Sequence, residues 1–332
     1  MARFESTRVI ETGLYEHPAV RAWSEWNSAF VVPERIEILK GKPPDPNNGI
    51  ERLVCRLVGV GPAGSAVICK RCWRANALVE NRIYAQILPQ LPFPSLGYYG
   101  MLEEANCELC WLFLEDAGEN AYSDLIGEHR LLRAQWLSLM HTAAAHLDAA
   151  VRLPDKGPQH YLKRLYSVRD ALSDKLLALN TQIDGPSPLG TILRQFELLE
   201  SHWDQVEAFC DGMPPALVHG DFVVKNLRVR TSQAGIALLP FDWGEAGWGV
   251  PARDLVDVDL VAYWSATHVH WPWLDLRTLR RLATIGKIFR AIDAIYWLLP
   301  SFNYEWLKRP RNSMSIYASW LAGAIQAAAF TQ

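Results

Sequence analysis

The first third of the chain alternates apolar and polar residues over short runs, whereas most of the remainder repeats apolar residues at helical spacing. Runs at 35–40, 53–60 and 66–71 predict β-strands, because the connectors between them are dense in Gly, Pro, Asn and Ser. Segment 18–30 predicts a helix with proline in its first turn. A second helix is predicted at 74–88, where a run of prolines stops it.

Two more β runs, 96–102 and 109–114, follow that helix, so this part of the chain reads β-β-β-α-β-β. We predict an α+β protein with a small antiparallel β lobe containing one helix and a larger, mostly helical lobe. The predicted boundaries are 1–114 for the β-rich lobe, 115–120 for a hinge linker and 121–332 for the helical lobe.

The predicted helical lobe carries amphipathic patterns at 131–147, 161–179 and 192–209, and it returns to helix after residue 251. A loop-strand-turn-strand segment at 217–244 interrupts them. The uncharged segment 312–332 is long enough to cross a bilayer, but Asn, Ser and Gln residues interrupt its apolar character. We therefore expect a buried C-terminal helix and no membrane partner.

Composition and charge narrow the choice of partners. Half of the 332 residues are hydrophobic and 21% are charged, which is typical of a globular protein. The formal net charge of -3 shows no domain-wide basic excess, so nucleic acid is not an expected partner. The N-terminus lacks the apolar run of a secretory signal, so we expect a cytoplasmic protein. We expect it to be a monomer or a homodimer.

Two C-x-x-C pairs, Cys69/Cys72 and Cys107/Cys110, raise the possibility of a zinc-stabilised module. The first pair lies in a predicted strand, where residues three apart point to opposite faces, and the second leads directly into one. Buried or half-buried thiols are the interpretation that we favour, and metal analysis of the purified protein distinguishes the two.

The chemistry-bearing residues lie in a characteristic order. Asp221 is followed by Asn226 five positions later, and Asp242 comes after a short apolar strand. Phosphoryl transfer needs a carboxylate for the acceptor hydroxyl, together with an amide oxygen and a carboxylate for metal. It also needs a strand lysine steadied by a helix carboxylate, and Lys70 and Glu80 stand in those places.

A turn that covers nucleotide phosphates should offer backbone N–H groups and small or polar residues. The candidate is the connector 41–49, which contains Asn47 and Asn48. It contains no Walker A motif, and an ordinary surface hairpin loop would have the same composition.

These motifs resemble the aminoglycoside phosphotransferase and choline kinase family, small-molecule relatives of the protein kinases. The residues that carry the resemblance are His219-Gly220-Asp221 with Asn226, Asp242-Trp243, and Gly249-Val250-Pro251-Ala252-Arg253-Asp254-Leu255. Lys70, Glu80 and a Leu-x-x-x-His helix end at Leu137 and His141 extend it over roughly residues 30 to 300. The resemblance implies a bilobal, protein-kinase-like fold.

The resemblance also implies a role for each motif residue, with ATP (or GTP) and Mg²⁺ as cofactors. Asp221 would be the catalytic carboxylate, Asn226 and Asp242 the metal ligands, and Lys70 with Glu80 the phosphate-binding pair. The linker near Glu115 and Ala117 would meet the purine, and His219 and Asp254 would support the loop. Between Asp221 and Asn226 this chain departs from the family pattern, and Lys225 there points either to the phosphate or to solvent.

The resemblance implies a small-molecule hydroxyl as the acceptor, and we expect an aminoglycoside or another sugar- or nucleoside-containing antibiotic. Aminoglycosides are polycations and need carboxylates, which Asp257, Asp259, Asp275, Asp293 and Glu305 offer. Asp254 and Asp257 are expected on one helix face. Choline-like cations need an aromatic cage, for which Trp264, Trp271 and Trp273 are candidates. The alternatives are a choline, ethanolamine or sugar kinase and a catalytically silent, nucleotide-binding interaction protein.

Overall fold

The computed structural model describes residues 8–42, 52–145, 153–178, 187–233, 235–299 and 308–330. By its internal contacts the chain divides into two compact units. The first unit contains residues 1–124 and 223–245, and the second contains 125–222 and 246–332. Residues 115–124 and the segment after Phe222 thus belong with the first unit.

The first unit is built on a six-stranded antiparallel sheet with the strand order β1-β2-β3-β4-β6-β5. The strands are β1 (Arg8–Ile10), β2 (Arg35–Lys42), β3 (Arg52–Val58), β4 (Val67–Trp73), β5 (Tyr98–Glu103) and β6 (Leu109–Glu115). The five strands predicted from alternation are all present. The three-residue edge strand β1 was not predicted, because so short a run has no readable period.

One helix packs on each face of this sheet, and the two lie in the segments predicted as helices at 18–30 and 74–88; the description of the lobe as containing one helix was therefore wrong. Helix α1 (Pro18–Trp26) covers one face, with Trp23 against Phe113 at 5.2 Å between ring centroids. Helix α2 (Arg74–Arg82) covers the other through Ala77. The predicted helix 74–88 is only partly α-helical, since a π-helical turn at 83–87 and a 3-10 turn at 88–90 follow α2.

The cysteines face partners across neighbouring strands. Cys69 lies opposite Cys55 in one core cluster, and Cys72 lies opposite Cys110 in the other. The two members of the C-x-x-C pair in β4 therefore point to opposite faces of the sheet, as strand geometry predicts. Within the described ranges, no group of His, Cys, Asp or Glu side chains is arranged to hold a metal ion.

A β-hairpin completes the first unit. Strands β9 (Leu227–Ser232) and β10 (Gly235–Pro240) pair antiparallel, with Leu227 opposite Pro240. This is the strand-turn-strand segment that the sequence predicts inside its helical region.

The second unit is mostly helical. Its helices are α3 (Gly127–Ala144), α4 (Pro158–Ala178), α5 (Pro188–Ser201), α6 (Trp203–Cys210), α7 (Leu260–Thr267), α8 (Leu276–Leu298) and α9 (Lys308–Ala328). Its small sheet has the order β7-β11-β8, formed by β7 (Asp155–Lys156), β11 (Gly247–Gly249) and β8 (Ala216–Val218). These features and the antiparallel sheet confirm the predicted α+β class.

Two helix predictions need correction. The single helix predicted at 192–209 breaks at His202, whose backbone leaves the helical region. The carbonyl of Leu198 is bonded both by the His202 ring and by the hydroxyl of Ser201, and these side-chain contacts compete with the helical hydrogen bonds. Helix α9 is buried on one side only, since Ile316 and Trp320 are about half exposed. None of the described helices combines the length and apolarity of a bilayer span.

Candidate functional site

In the first unit, Lys70 joins the two acidic residues that the sequence assigns to the same site. It lies in the middle of β4, paired with Val54 on one side and Leu112 on the other. Its ammonium group forms ion pairs with Glu80 on α2 and with Asp242 at the end of the β9–β10 hairpin. The structure thus brings together three residues separated by 10 and 172 positions.

The electrostatics favour a charged lysine in this place. Burial of Lys70 opposes its charge, but the carboxylates of Glu80 and Asp242 outweigh burial and hold the pKa of Lys70 above its ordinary range. Glu80 is fully buried, so its carboxylate anchors the lysine from inside. Asp242 is one-third exposed, so its carboxylate can serve a ligand as well.

The turn after β10 fixes the direction of Asp242. Asp242 has a φ of 68°, in the left-handed region that aspartate tolerates better than most residues. Gly244 follows in a 3-10 turn, and its carbonyl accepts a hydrogen bond of 2.9 Å from Asn76 on α2. A Cβ at Gly244 would lie 3.2 Å from Asn76 Cβ and from Glu80 Oε1. Glycine therefore lets the turn approach α2 closely.

Asn226 lies beside the end of the same hairpin. It is buried in a 3-10 turn, and its carbonyl accepts a 3.1 Å hydrogen bond from Phe241 N, next to Asp242. One amide oxygen and one carboxylate are thereby available from neighbouring backbone positions. Oxygen donors of this kind suit Mg²⁺, which prefers oxygen ligands and usually takes few of them from the protein.

In the second unit, Asp254 holds the loop that carries Asp221. Its carboxylate accepts hydrogen bonds from the backbone N–H groups of His219 at 2.6 Å and Gly220 at 3.0 Å. His141 Nε2 lies 3.6 Å from the same carboxylate, and its Nδ1 lies 2.9 Å from the Tyr263 hydroxyl.

Asp254 is fully buried, and burial alone would raise its pKa. The neighbouring imidazoles of His141 and His219, together with the backbone N–H of His219, outweigh burial and lower the pKa of Asp254. The ring of His219 accepts a 3.3 Å hydrogen bond from Asp221 N and packs edge-on against Phe222. Asp254 thus contacts the backbone of the loop, and His219 contacts residues within it.

Two buried arginines near Asp221 were not predicted. Arg133 on α3 donates to the carbonyls of Phe222 at 2.8 Å and Asp257 at 3.1 Å, so it joins the loop to the turn after β11. Arg253 bonds Asp293 through Nε at 2.6 Å and lies 3.9 Å from Asp221. The sequence did contain a signal for Arg253, since a charge inside the apolar run 249–256 needs a buried partner.

The linker residues are held by ion pairs within the first unit. Glu115 pairs with Arg230 at 2.8 Å and accepts a hydrogen bond from Gly97 N at 2.8 Å. Ala117 follows as a half-buried residue without regular secondary structure. Asn47 and Asn48, the predicted phosphate-loop residues, lie outside the described residues.

The predicted acceptor residues have other partners. Asp257 does not share a helix face with Asp254, because a 3-10 turn and an irregular turn replace the expected helix, and Asp257 has a φ of 60°. Its carboxylate pairs with Arg290 at 2.7 Å. Trp264 donates its indole N–H to the Leu274 carbonyl at 2.8 Å, and Trp271 is buried. The two tryptophans thus serve packing.

The other carboxylates suggested for a polycation are engaged as well. Asp259 caps α7 through the N–H groups of Val261 and Ala262, and Asp275 caps α8 through Thr278 N at 2.7 Å. Asp293 is buried between two arginines. Glu305 lies outside the described residues.

Comparison with known proteins gives a family and several similar structures. The family model described as "Phosphotransferase enzyme family" matches residues 57–286. A search of curated protein sequences found no significant match.

Three of the similar solved structures show the range of the likeness. The GDP and kanamycin complex of APH(2")-IIia is 12% identical, covering 92% of this chain and 97% of that one, with a TM-score of 0.61. A thermostable mutant of aminoglycoside phosphotransferase APH(4)-Ia, in a ternary complex with ADP and hygromycin B, is 14% identical, with 95% and 100% covered and a TM-score of 0.55. Choline kinase from Cryptosporidium parvum Iowa II is 13% identical, with 88% of each chain covered and a TM-score of 0.53.

Proposed function

Since this chain belongs to the phosphotransferase enzyme family and is a small-molecule phosphotransferase, we propose that it transfers the terminal phosphoryl group of ATP or GTP to a hydroxyl group. The observation that supports this donor is the ion-paired set Lys70, Glu80 and Asp242 in the first unit. Two of the similar structures contain GDP or ADP, which is consistent with a purine nucleotide as donor.

Lys70 would bind the phosphates as a fixed positive charge, with Glu80 holding the ammonium group in place. Asn226 and Asp242 would hold Mg²⁺, because their oxygens are the donors that this hard cation takes. When bound, Mg²⁺ supplies charge neutralisation on the phosphate oxygens. Near Glu115 and Ala117, the linker backbone would meet the purine.

Asp221 would accept the proton of the acceptor hydroxyl. In the proposed reaction the acceptor oxygen forms a bond to the terminal phosphorus, the bond from that phosphorus to the bridging oxygen breaks, and a nucleoside diphosphate leaves. Asp254 binds the backbone of the loop just before Asp221. This contact would hold the Asp221 carboxylate in a defined direction. His219 and Asp254 would act as supports and not as reactants.

For the acceptor we propose a sugar- or nucleoside-containing compound. Kanamycin and hygromycin B occur in two of the similar structures, which supports a sugar hydroxyl. Four of the five carboxylates suggested for a polycation already pair with arginines or cap helices, which supports an acceptor with few positive charges over an aminoglycoside. A cage formed by the three candidate tryptophans would lack Trp271, which is buried, and this favours a sugar or nucleoside acceptor over choline.

The test is a nucleotide-consumption screen with purified protein, Mg²⁺ and either ATP or GTP. The acceptor panel contains aminoglycosides, nucleoside antibiotics, macrolides, simple sugars, choline and ethanolamine, and mass spectrometry identifies the phosphorylated product. We expect turnover with a sugar or nucleoside compound, and its loss in Asp221→Asn. Nucleotide binding without turnover on any acceptor, water included, would instead support the catalytically silent alternative.

A further inference from the structure

Arg253 lies between the proposed catalytic carboxylate and a second, buried carboxylate. Its side chain is 8% exposed. Nε donates to Asp293 Oδ2 at 2.6 Å, while one terminal nitrogen lies 3.9 Å from Asp221 Oδ1, beyond direct hydrogen-bond range. One guanidinium group is thus fixed by Asp293 and directed at Asp221.

Asp293 is in turn held by a second arginine. Asp293 lies on α8 and is nearly fully buried, and its second carboxylate oxygen, Oδ1, binds Arg164 of α4. The Arg164 guanidinium lies over the rings of Tyr296 at 4.7 Å and Trp297 at 5.8 Å. These packed contacts restrict the movement of Arg164, and through Asp293 they restrict that of Arg253.

Such an arrangement needs an explanation beyond stability. Removing ionised groups from water costs several kcal/mol for each ion, and well-packed apolar residues often stabilise a core at least as well (roughly 1–4 kcal/mol more in some replacements). The ion set Arg164, Asp293 and Arg253 ends at a carboxylate that the proposed reaction uses. A buried charged set next to such a group is therefore a candidate for a functional role.

The neighbouring residue has a complementary contact with the same loop. Asp254 follows Arg253 directly and binds the backbone N–H groups of His219 and Gly220, just before Asp221. The turn that contains both residues therefore contacts the loop at two points. Asp254 binds the loop backbone, and Arg253 lies near the Asp221 carboxylate.

We propose that Arg253 is a positioning residue for Asp221, and that Asp293 on α8 sets the position of Arg253. The inference rests on the proposed function, in which Asp221 accepts the proton of the acceptor. By this account Arg253 places a fixed positive charge near the ionised carboxylate and limits its rotation. Asp293 acts only through Arg253.

The experiment measures kcat and the KM for nucleotide with the acceptor found in the screen, or with water if slow hydrolysis of MgATP is the only turnover. Arg253→Met should lower kcat about a hundredfold, the scale on which a fixed polar group at a reacting centre contributes. Arg253→Lys and Asp293→Asn should each lower it about tenfold, since they retain part of the arrangement. The KM for nucleotide should stay within about twofold of wild type, because the variants perturb a loop that does not bind the donor.

The control is Arg169→Met, which removes from α4 a one-third exposed arginine that pairs with Glu200 at 2.7 Å and has no contact with Asp293 or Asp221 among the ion pairs of the described residues. It should leave kcat unchanged. In the double variant with Arg253→Met, Asp293→Asn should cause no further loss of kcat, because it acts through the missing guanidinium. A merely structural role predicts instead that thermal stability falls in step with kcat and that the two effects add.

If Arg253→Met does not fold, Arg253→Lys and Asp293→Asn carry the test, together with crystal structures of wild type and Asp293→Asn. We expect Arg253 to move relative to Asp221 in that variant. Unchanged kcat in the folded variants, or an unmoved Arg253, would overturn the inference. Failure of the proposed function looks different, since wild type itself would then show no turnover, whether or not it binds nucleotide.

Discussion

Gly286 offers a sharp test of how the turn after β11 is positioned. It lies in α8, two helical turns before Asp293, so both residues face the same neighbour. A Cβ at this position would lie 1.9 Å from the carbonyl oxygen of Ala252 and 2.6 Å from its carbonyl carbon. We therefore expect Gly286→Ala to push that turn away from the helix, because a backbone carbonyl cannot rotate aside as a side chain can.

The size of the effect follows from the distances. Ordinary contacts begin at 3.4 Å, so the turn must move by about 3.4 − 1.9 = 1.5 Å. Overpacking of this kind costs about 1–3 kcal/mol, and the better helix propensity of alanine returns up to about 1 kcal/mol. A net loss near 1–2 kcal/mol corresponds to a fall in Tm of about 2 to 8 °C.

The same shift should lower catalysis, because Arg253 and Asp254 follow Ala252 directly. A displacement of about 1 Å at supporting residues costs on the order of a hundredfold in kcat. Thermal unfolding and kcat with the screened acceptor measure the two effects. The matched control is Gly323→Ala in α9, where a Cβ would meet nothing within 4 Å. It should raise stability by up to about 1 kcal/mol. If Gly286→Ala behaved like Gly323→Ala, the close packing of α8 on the turn would not hold.

Three further substitutions test the site and its surroundings. Lys70→Met should lower kcat/KM at least about a hundredfold, measured with saturating acceptor, since it removes a fixed positive charge from the phosphates. An Asp254→Asn variant should lose about 1–3 kcal/mol in urea unfolding at pH 7, because one amide oxygen cannot serve both backbone N–H groups that the carboxylate binds. Burial, with the charges of two nearby cations, lowers the pKa of His160 to about 4 from an ordinary 6.5. The unfolded chain therefore binds a proton first as the pH falls, so wild type should lose stability between pH 6.5 and 4, and His160→Gln should flatten that slope in unfolding measured across this range. An unchanged slope in the variant would assign the effect to another group.

Much of the fold could be predicted because local pattern and turn chemistry agree over most of the chain. The five longer strands of the first sheet are short β-like runs, and several of the connectors between them are rich in turn formers. The elements that were missed depend on contacts that no local pattern contains. Strand β1 has only three residues, the helix around 192–209 breaks at His202, and the short β7 exists only because it pairs with β11.

The candidate site likewise contains residues that could be proposed from the sequence and residues that could not. Lys70, Glu80 and Asp242 could be proposed in advance, because motif order and secondary structure place each of them on a known kind of element. The charge of Arg253 inside an apolar run signals a buried partner, but the partners of Arg133 and Arg253 could not be named in advance, since they are backbone carbonyls and a carboxylate far away in sequence. Their roles follow from burial, which becomes visible only when the helices have packed.

The acceptor residues show the limit of spacing as a guide. Asp254 and Asp257, three residues apart, would share a face of a helix, but the chain there forms tight turns instead. One carboxylate is consequently buried against the loop before Asp221, while the other is 59% exposed and paired with Arg290. Candidates chosen for charge or aromaticity alone were thus engaged elsewhere in the described chain.

By itself, the sequence determined the α+β class, the order of the elements and the set of residues able to carry phosphoryl transfer. These depend on local periodicity and on residue chemistry, which a chain carries whether folded or not. Only the tertiary structure decided that Lys70 pairs with both Glu80 and Asp242 and that α8 holds Arg253 through Asp293. It also decided that four of the five acidic residues suggested for a polycation are already bonded. The physical reason is that a charge's partner depends on distance and burial in three dimensions, and both are set by packing between segments remote in sequence.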